Sequence, residues 1–242
     1  MDAGDFKDTN ERVTPKKVPQ KKRSSSKPSE RVSAAPFPPV GLITRAEWGA
    51  DESKRFTISG DESSPPQFFS AQAITVHHTD TSNEDINPAA TVRAIYEYHA
   101  VSNDWGDIGY HFLIDSQGNI YEGRYSGTDS VPAHDTQGRI VTGFHTIGFN
   151  PGNIGIALVG DFSRESPSPK MQRSLTELTA SLAKKHSIDP LSSVDYRNPV
   201  THRVKRTYAI AGHRDWISTD CPGLNAYLDL SQVREKAARL AA

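Results

Sequence analysis

Two runs of the chain leave little room for a polar face, and they constrain the fold more than anything else in it. "AQAITVHHT" (71–79) and "NIGIALVGDF" (153–162) are β-prone and apolar almost without interruption. Strands covered on both faces have this pattern. "TYAIAGHRD" (207–215) reads as a strand running into a loop. "GYHFLIDSQGNIYEGR" (109–124) reads as a hairpin, two strands joined by a turn containing Gln117 and Gly118. Helical patterns fall between these runs. "NPAATVRAIYEYHAVSND" (87–104) starts with Asn87 as N-cap and Pro88 at the first helical position, and sets Val92, Ile95, Tyr96 and His99 on one face. "SPKMQRSLTELTASLAKKHS" (168–187) turns Met171, Leu175, Leu178 and Leu182 inward, and "NAYLDLSQVREKAARLAA" closes with one helix or two short ones. The alternation predicts an α/β fold: a single domain with a central mixed sheet, parallel and antiparallel, flanked by about three helices. Stretches 125–152 and 188–206 are expected to be long loops, and 55–70 an insertion able to line one end of a groove.

Residues 1–39 stand apart. They hold nine Lys/Arg and five Asp/Glu, a net +4 that leaves −5 for residues 40–242, and "KKRSSSKPSE" is dense in Lys, Ser and Pro. Such a segment buries too little surface to offset its ordering entropy, so a disordered arm is expected over 1–39, acting as a solvated linker or as an electrostatic tether to a polyanion. The net charge of the chain is −1. That gives no push toward nucleic acid, and none is expected as a partner. No apolar run approaches the roughly 20 residues that span a bilayer. The start, "MDAGDFKDTN", lacks the basic-then-apolar pattern of a signal peptide. A targeting region removed from the start, or a cytoplasmic protein, would both give this reading.

The chain has one cysteine, Cys221, in "GHRDWISTDCPG". An intramolecular disulfide is therefore impossible, and the thiol is weighed as a metal ligand or a nucleophile. His77 and His78 end one expected strand, and His213 ends another. Neighbouring strand residues point to opposite faces, so one of His77 and His78 can join a site with His213 and Cys221. Two imidazoles and a thiolate suit a catalytic zinc centre, because three protein ligands leave the fourth position for water. Zinc lowers the pKa of its water to about 7 and polarises a scissile carbonyl.

Five strings occur in order: "RAEWGA", "VHHT", "WGDIGYHFLIDSQGNIYEGR", "GFHTIGFNPGNIGIALVGDF" and "GHRD…TDCPG". Together they resemble the peptidoglycan recognition proteins and the wider type-2 N-acetylmuramoyl-L-alanine amidase family, phage amidase lysozymes included. The likeness covers about residues 40–235. It implies a zinc-amidase domain over 40–242, with zinc held by His77, His213 and Cys221. It also implies catalytic roles for Tyr110 of "GYHF" and for Thr219, two residues before the cysteine. His145, Asn150 and Arg124 fall where family members meet the glycan or the stem peptide. A tyrosine hydroxyl can donate to an oxyanion, and a Tyr or Thr hydroxyl can order the attacking water. Arg124 can meet a peptide carboxylate bidentately.

The implied reaction is hydrolysis of the amide between N-acetylmuramic acid and L-alanine of the stem peptide. A monomer, secreted or bound to the cell wall, is expected, with peptidoglycan as partner. Two other readings stand: a receptor module that binds muropeptide without cutting it, and a cytosolic amidase that recycles anhydro-muropeptides. Family members lacking the cysteine resemble receptors, and this chain keeps it. The single cysteine forbids the disulfide usual in animal members. The long 125–144 loop leaves diaminopimelate against lysine peptides open.

Overall fold

The structure, a computed structural model, describes residues 37–39, 41–127 and 131–242. The arm expected over 1–39 lies outside the described residues except for Phe37, Pro38 and Pro39. The helices are α1 (Arg45–Trp48), α2 (Pro88–Glu97), α3 (Pro169–His186) and α4 (Leu224–Ala241). The strands are β1 (Phe68–Phe69), β2 (Ala73–His78), β3 (Phe112–Ile114), β4 (Ile120–Glu122), β5 (Ile140–Val141), β6 (Asn153–Leu158), β7 (Ser193–Arg197), β8 (Val204–Tyr208) and β9 (Ile210–Gly212).

The central sheet has the order β4-β3-β6-β2-β9. β3, β6, β2 and β9 run parallel, and β4 closes one edge antiparallel to β3. This is the expected mixed α/β architecture. β2 and β6 are buried at every position. The reason is in their two faces. Ile74, Val76, Ile154, Ile156 and Leu158 pack with Met171, Leu175 and Leu178 of α3 and Leu230 and Val233 of α4. On the opposite face, Leu113 and Ala157 pack with Trp48 of α1 and with Val92 and Tyr96 of α2. Burying one such side chain contributes about 1.5–3 kcal/mol, so both faces of the central strands are held by their helices.

The helices begin where their sequences say. The side chain of Asn87 accepts from Ala90 N–H and that of Ser168 from Met171 N–H, each followed by proline in the first turn. The C-terminal segment is one helix of 18 residues. Among the described residues four helices flank the sheets, three of ten residues or more and one a single turn, in keeping with the expected architecture.

Two expected loops contain strands. Stretch 188–206 holds most of the antiparallel pair β7–β8, which registers Asp195 against Arg206 and Tyr196 against Lys205. Most of its side chains face solvent, and only Tyr196 and Thr207 are buried. Stretch 125–152 holds β5, which pairs with β1 from the expected insertion, Phe68 opposite Val141. No helix among the described residues is long and apolar enough to cross a membrane.

Candidate metal centre

The parallel strands bring their C-terminal ends to one edge, where open α/β sheets place their ligands. β2 ends there with His77 and His78, and β9 runs through Gly212 into a short turn, His213–Asp215. The two adjacent histidines point to opposite faces, as the pleat requires. His78 turns toward the α3/α4 side, where its Nδ1 accepts from Phe162 N–H at 3.3 Å. His77 turns toward the α2 side, 1% exposed.

The loop that follows β9 is closed by its own hydrogen bonds. Arg214 N–H donates to Cys221 O at 3.0 Å, and Asp215 accepts from Gly212 N–H and from the Tyr227 hydroxyl. The arrangement returns Cys221 beside His213. One ligand atom each from His77, His213 and Cys221 lies within 4.8 Å of the others. The Cys221 Sγ is 3.6 Å from His77 Nδ1, and the His77 and His213 ring centroids are 4.5 Å apart.

The chemistry of the donor set fits zinc. Burial lowers the pKa of His77 well below its ordinary value and that of His213 to about 4, so both imidazoles are neutral and able to ligate at neutral pH. Burial pushes the Cys221 thiol up to about 12, which is costly for a free thiolate and is reversed by a bound cation. The buried His213 Nε2 has no hydrogen-bond partner among the described residues. A second group, His78, Asp80 and Asp161, also brings ligand-type atoms within 4.8 Å. Asp80 is exposed, and His78 Nδ1 already accepts from Phe162.

Tyr110 lies beside His77. Its ring centroid is 5.2 Å from that of His77 and 5.4 Å from that of His99. Burial raises its pKa, so the hydroxyl keeps its proton as a donor. His99 sits in a π-turn, Tyr98–Ser102, that extends α2, and its Nδ1 accepts from Gly109 N–H at 3.1 Å. It is buried and hydrogen-bonded, and it braces the backbone just before Tyr110. Thr219 lies two residues before the ligand, and its Oγ1 accepts from Cys221 N–H at 3.3 Å.

The three residues expected to meet substrate are placed differently. Arg124 is 2% exposed. It pairs with buried Asp107 at 3.1 Å and donates to Thr142 O and Ser64 O. Its guanidinium is engaged inside the fold by these three partners. His145 is 8% exposed. Its Nδ1 lies 3.0 Å from His77 Nε2, and its Nε2 lies 3.0 Å from the Asn153 carbonyl oxygen. It stands between His77 and the Asn153 carbonyl. Asn150 is part-buried, and its Oδ1 accepts from both His145 N–H and Thr146 N–H, which leaves its amide nitrogen for other partners. The sequence reading missed the inward role of His145. Its trace is a pair of glycines, because a Cβ on Gly143 or Gly155 would stand under 3.0 Å from the His145 ring.

Residues 67–224 match the family described as N-acetylmuramoyl-L-alanine amidase. A human N-acetylmuramoyl-L-alanine amidase is 31% identical over 159 residues, which are 64% of this chain and 23% of that protein. Peptidoglycan-recognition protein SC1a/b of Drosophila simulans is 28% identical over 195 residues, 79% of this chain and 84% of that protein. A mutant of Drosophila PGRP-LB, solved in complex with tracheal cytotoxin, superposes with a TM-score of 0.56 at 26% identity, over 78% of this chain and 92% of that one.

Proposed function

We propose that this chain, which belongs to the N-acetylmuramoyl-L-alanine amidase family, hydrolyses the amide between N-acetylmuramic acid and L-alanine of the peptidoglycan stem peptide with zinc as cofactor. The observation that carries the reading is the convergence of His77, His213 and Cys221 at one strand edge, with Tyr110 beside them. On this reading residues 40–242 are the amidase domain, residues 1–39 a charged tether, and the site of action is the cell wall.

Zinc bound by these three residues supplies Lewis acidity, activating water at neutral pH and polarising the amide carbonyl. The chain's own residues supply the rest. His77 and His213 present neutral nitrogens, and Cys221 would present a sulfur whose proton passes to solvent as the metal binds. Tyr110, protonated because it is buried, donates its hydroxyl hydrogen to the oxygen that gains charge as the amide is attacked. The Thr219 Oγ1 accepts from Cys221 N–H, fixes the ligand loop, and keeps its own hydrogen to orient water or substrate. Asn150 is the remaining candidate for contact with glycan or peptide.

The test is metal content together with stem-peptide release from purified peptidoglycan, with and without chelator. One zinc per chain and chelator-sensitive release of peptides with a free L-alanine amine are expected. Release that survives complete zinc removal would overturn the reading. A second reading, a module that binds muropeptide without cutting it, is favoured by the recognition-protein relative and by the tracheal cytotoxin bound in the PGRP-LB complex. Calorimetry with a muropeptide, followed by mass analysis of the same sample, separates the two: intact ligand after long incubation supports binding alone.

A further inference from the structure

We propose that His145 is a positioning residue that fixes the tautomer of His77, holding its hydrogen on Nε2 so that Nδ1 faces the metal position as a bare lone pair. The identity of the ion rests on the zinc reading above; the tautomer rests on hydrogen bonds alone.

The argument starts from an atom that can only accept. The Asn153 carbonyl oxygen lies 3.0 Å from His145 Nε2, so Nε2 carries the hydrogen. A neutral imidazole has one N–H, which leaves His145 Nδ1 as an acceptor. The ring is neutral: it is buried, and the partners of its two nitrogens are a carbonyl, a hydroxyl and another imidazole, none of them an anion that would hold a second proton. That Nδ1 lies 3.0 Å from His77 Nε2. The hydrogen between them therefore belongs to His77, and its remaining nitrogen, Nδ1, is free. The Thr146 hydroxyl, 2.9 Å from the same His145 nitrogen, can donate to it as well and does not change the assignment. Freed Nδ1 is the atom found 3.6 Å from Cys221 Sγ.

The relay is built into the fold. β6 lies parallel to β2 and registers Ala157 against His77. The same strand supplies the Asn153 carbonyl and, two residues on, Gly155. A Cβ at Gly155 would stand 2.6 Å from His145 Cδ2, so the glycine makes space for the ring. Asn150 Oδ1 holds the loop from the other side through His145 N–H at 2.9 Å and Thr146 N–H at 2.7 Å. An imidazole whose far nitrogen donates to a fixed acceptor is oriented and made more basic as a ligand.

The decisive measurement uses the full chain, metal-free and ¹⁵N-labelled, with long-range ¹H–¹⁵N NMR of the histidine rings. The expected result is His77 with its hydrogen on Nε2 before any metal is added. A hydrogen on Nδ1 overturns the proposal, and no substitution is needed to see it. Zinc titration then compares variants. His145→Leu should weaken zinc binding by about 10–100-fold, the usual cost of losing such a partner. His145→Asn, which retains an acceptor near the Nδ1 position, should recover most of it. Unchanged affinity in a folded His145→Leu variant refutes the role. The expected tautomer in a wild-type chain that binds no zinc would leave the relay standing and sink the zinc reading instead.

Discussion

Cys221 Sγ lies 3.6 Å from His77 Nδ1, although 144 residues separate them. Zinc bonds of about 2.3 Å to sulfur and 2.0–2.1 Å to nitrogen, at a tetrahedral angle, put two such ligands about 3.6 Å apart. The apposition thus has the length of one edge of a tetrahedral zinc site. It is made by parallel pairing of β2 with β9, followed by a loop whose backbone closes from Arg214 N–H to Cys221 O.

Cys221→Ser should lose most of its zinc affinity, because a hydroxyl is a far weaker anionic donor than a thiol. Turnover should fall by more than the roughly 10–100-fold that changes behind the ligands cost. The fold should survive, since Cys221 is part-exposed and forms no disulfide. Metal analysis and melting curves of the variant check both halves. Full zinc content in Cys221→Ser would remove the residue from the ligand set.

Zinc binding should release close to one proton per chain at pH 6, below the pKa of about 7 at which zinc-bound water would add its own. Burial pushes the Cys221 thiol up to about 12, so it is protonated in the metal-free protein and must ionise to bind. The two imidazoles contribute none, because both have lowered pKa values and are already neutral. Calorimetry in buffers of different ionisation enthalpy counts the proton. A count near zero would mean that sulfur does not bind the metal.

How much of this was legible in the sequence follows from what each residue touches. β2, β6 and α3 were readable because burial on both sheet faces, or on one helix face, writes a period into the residues. The β7–β8 pair was not, because "SVDYR" and "VKRTY" keep most of their side chains in water and look like loop. β1 and β5 have two residues each, too short for any period. The grouping of His77, His213 and Cys221 was legible as residue types at strand ends, and the likeness to amidases chose His77 over His78 as the candidate. The inward placement of Arg124 and His145 was not. It depends on Asp107 and on the Asn153 carbonyl, partners that only the tertiary fold brings close.

Stability of the metal-free protein should fall as the pH drops from about 6.5 toward 4, and His111 should carry part of that loss. His111 is fully buried, donates from Nε2 to Val141 O at 2.6 Å and accepts at Nδ1 from Gly155 N–H at 2.8 Å. A second proton would go on Nδ1, against that N–H. Its folded pKa is lowered from 6.5 to about 4, with burial as the main cause. Between the two values the unfolded chain binds more protons than the folded one, so stability rises with pH there. It is complete above about 6.5 and is lost as the pH approaches 4. The slope per histidine is at most about 1.4 kcal/mol per pH unit. His111→Gln should be less stable than wild type at pH 7.5, with the gap narrowing toward pH 4.5. Urea unfolding with chelator at several pH values measures it, and a gap independent of pH would count against the assignment.

Arg124→Met should be a stability variant and not a binding variant. The substitution leaves buried Asp107 with Arg45 at 3.0 Å but without its second cation at 3.1 Å. Breaking a buried pair costs about 3–5 kcal/mol, and the remaining Arg45 contact argues for the lower end. Thermal melts should show the loss, while the apparent KM for peptidoglycan fragments at low temperature stays close to wild type. A large rise in KM with an unchanged melt would restore the substrate contact.

Tyr110→Phe separates the two functional readings most directly. The hydroxyl has no hydrogen bond within the described residues, and its ring is held between His77 and His99 at 5.2 and 5.4 Å. Removing one oxygen therefore leaves the packing in place. If the hydroxyl donates to charge that develops during amide cleavage, kcat should drop by about 10²–10³-fold, the usual cost of one such donor. Zinc content and muropeptide affinity should stay near wild type, because the ground state uses neither the donor nor its charge. Single-turnover assays with a defined muropeptide, beside equilibrium binding of the same ligand, make the comparison. A loss of affinity that matches the loss of rate would mean that Tyr110 binds substrate and takes no special part in the transition state.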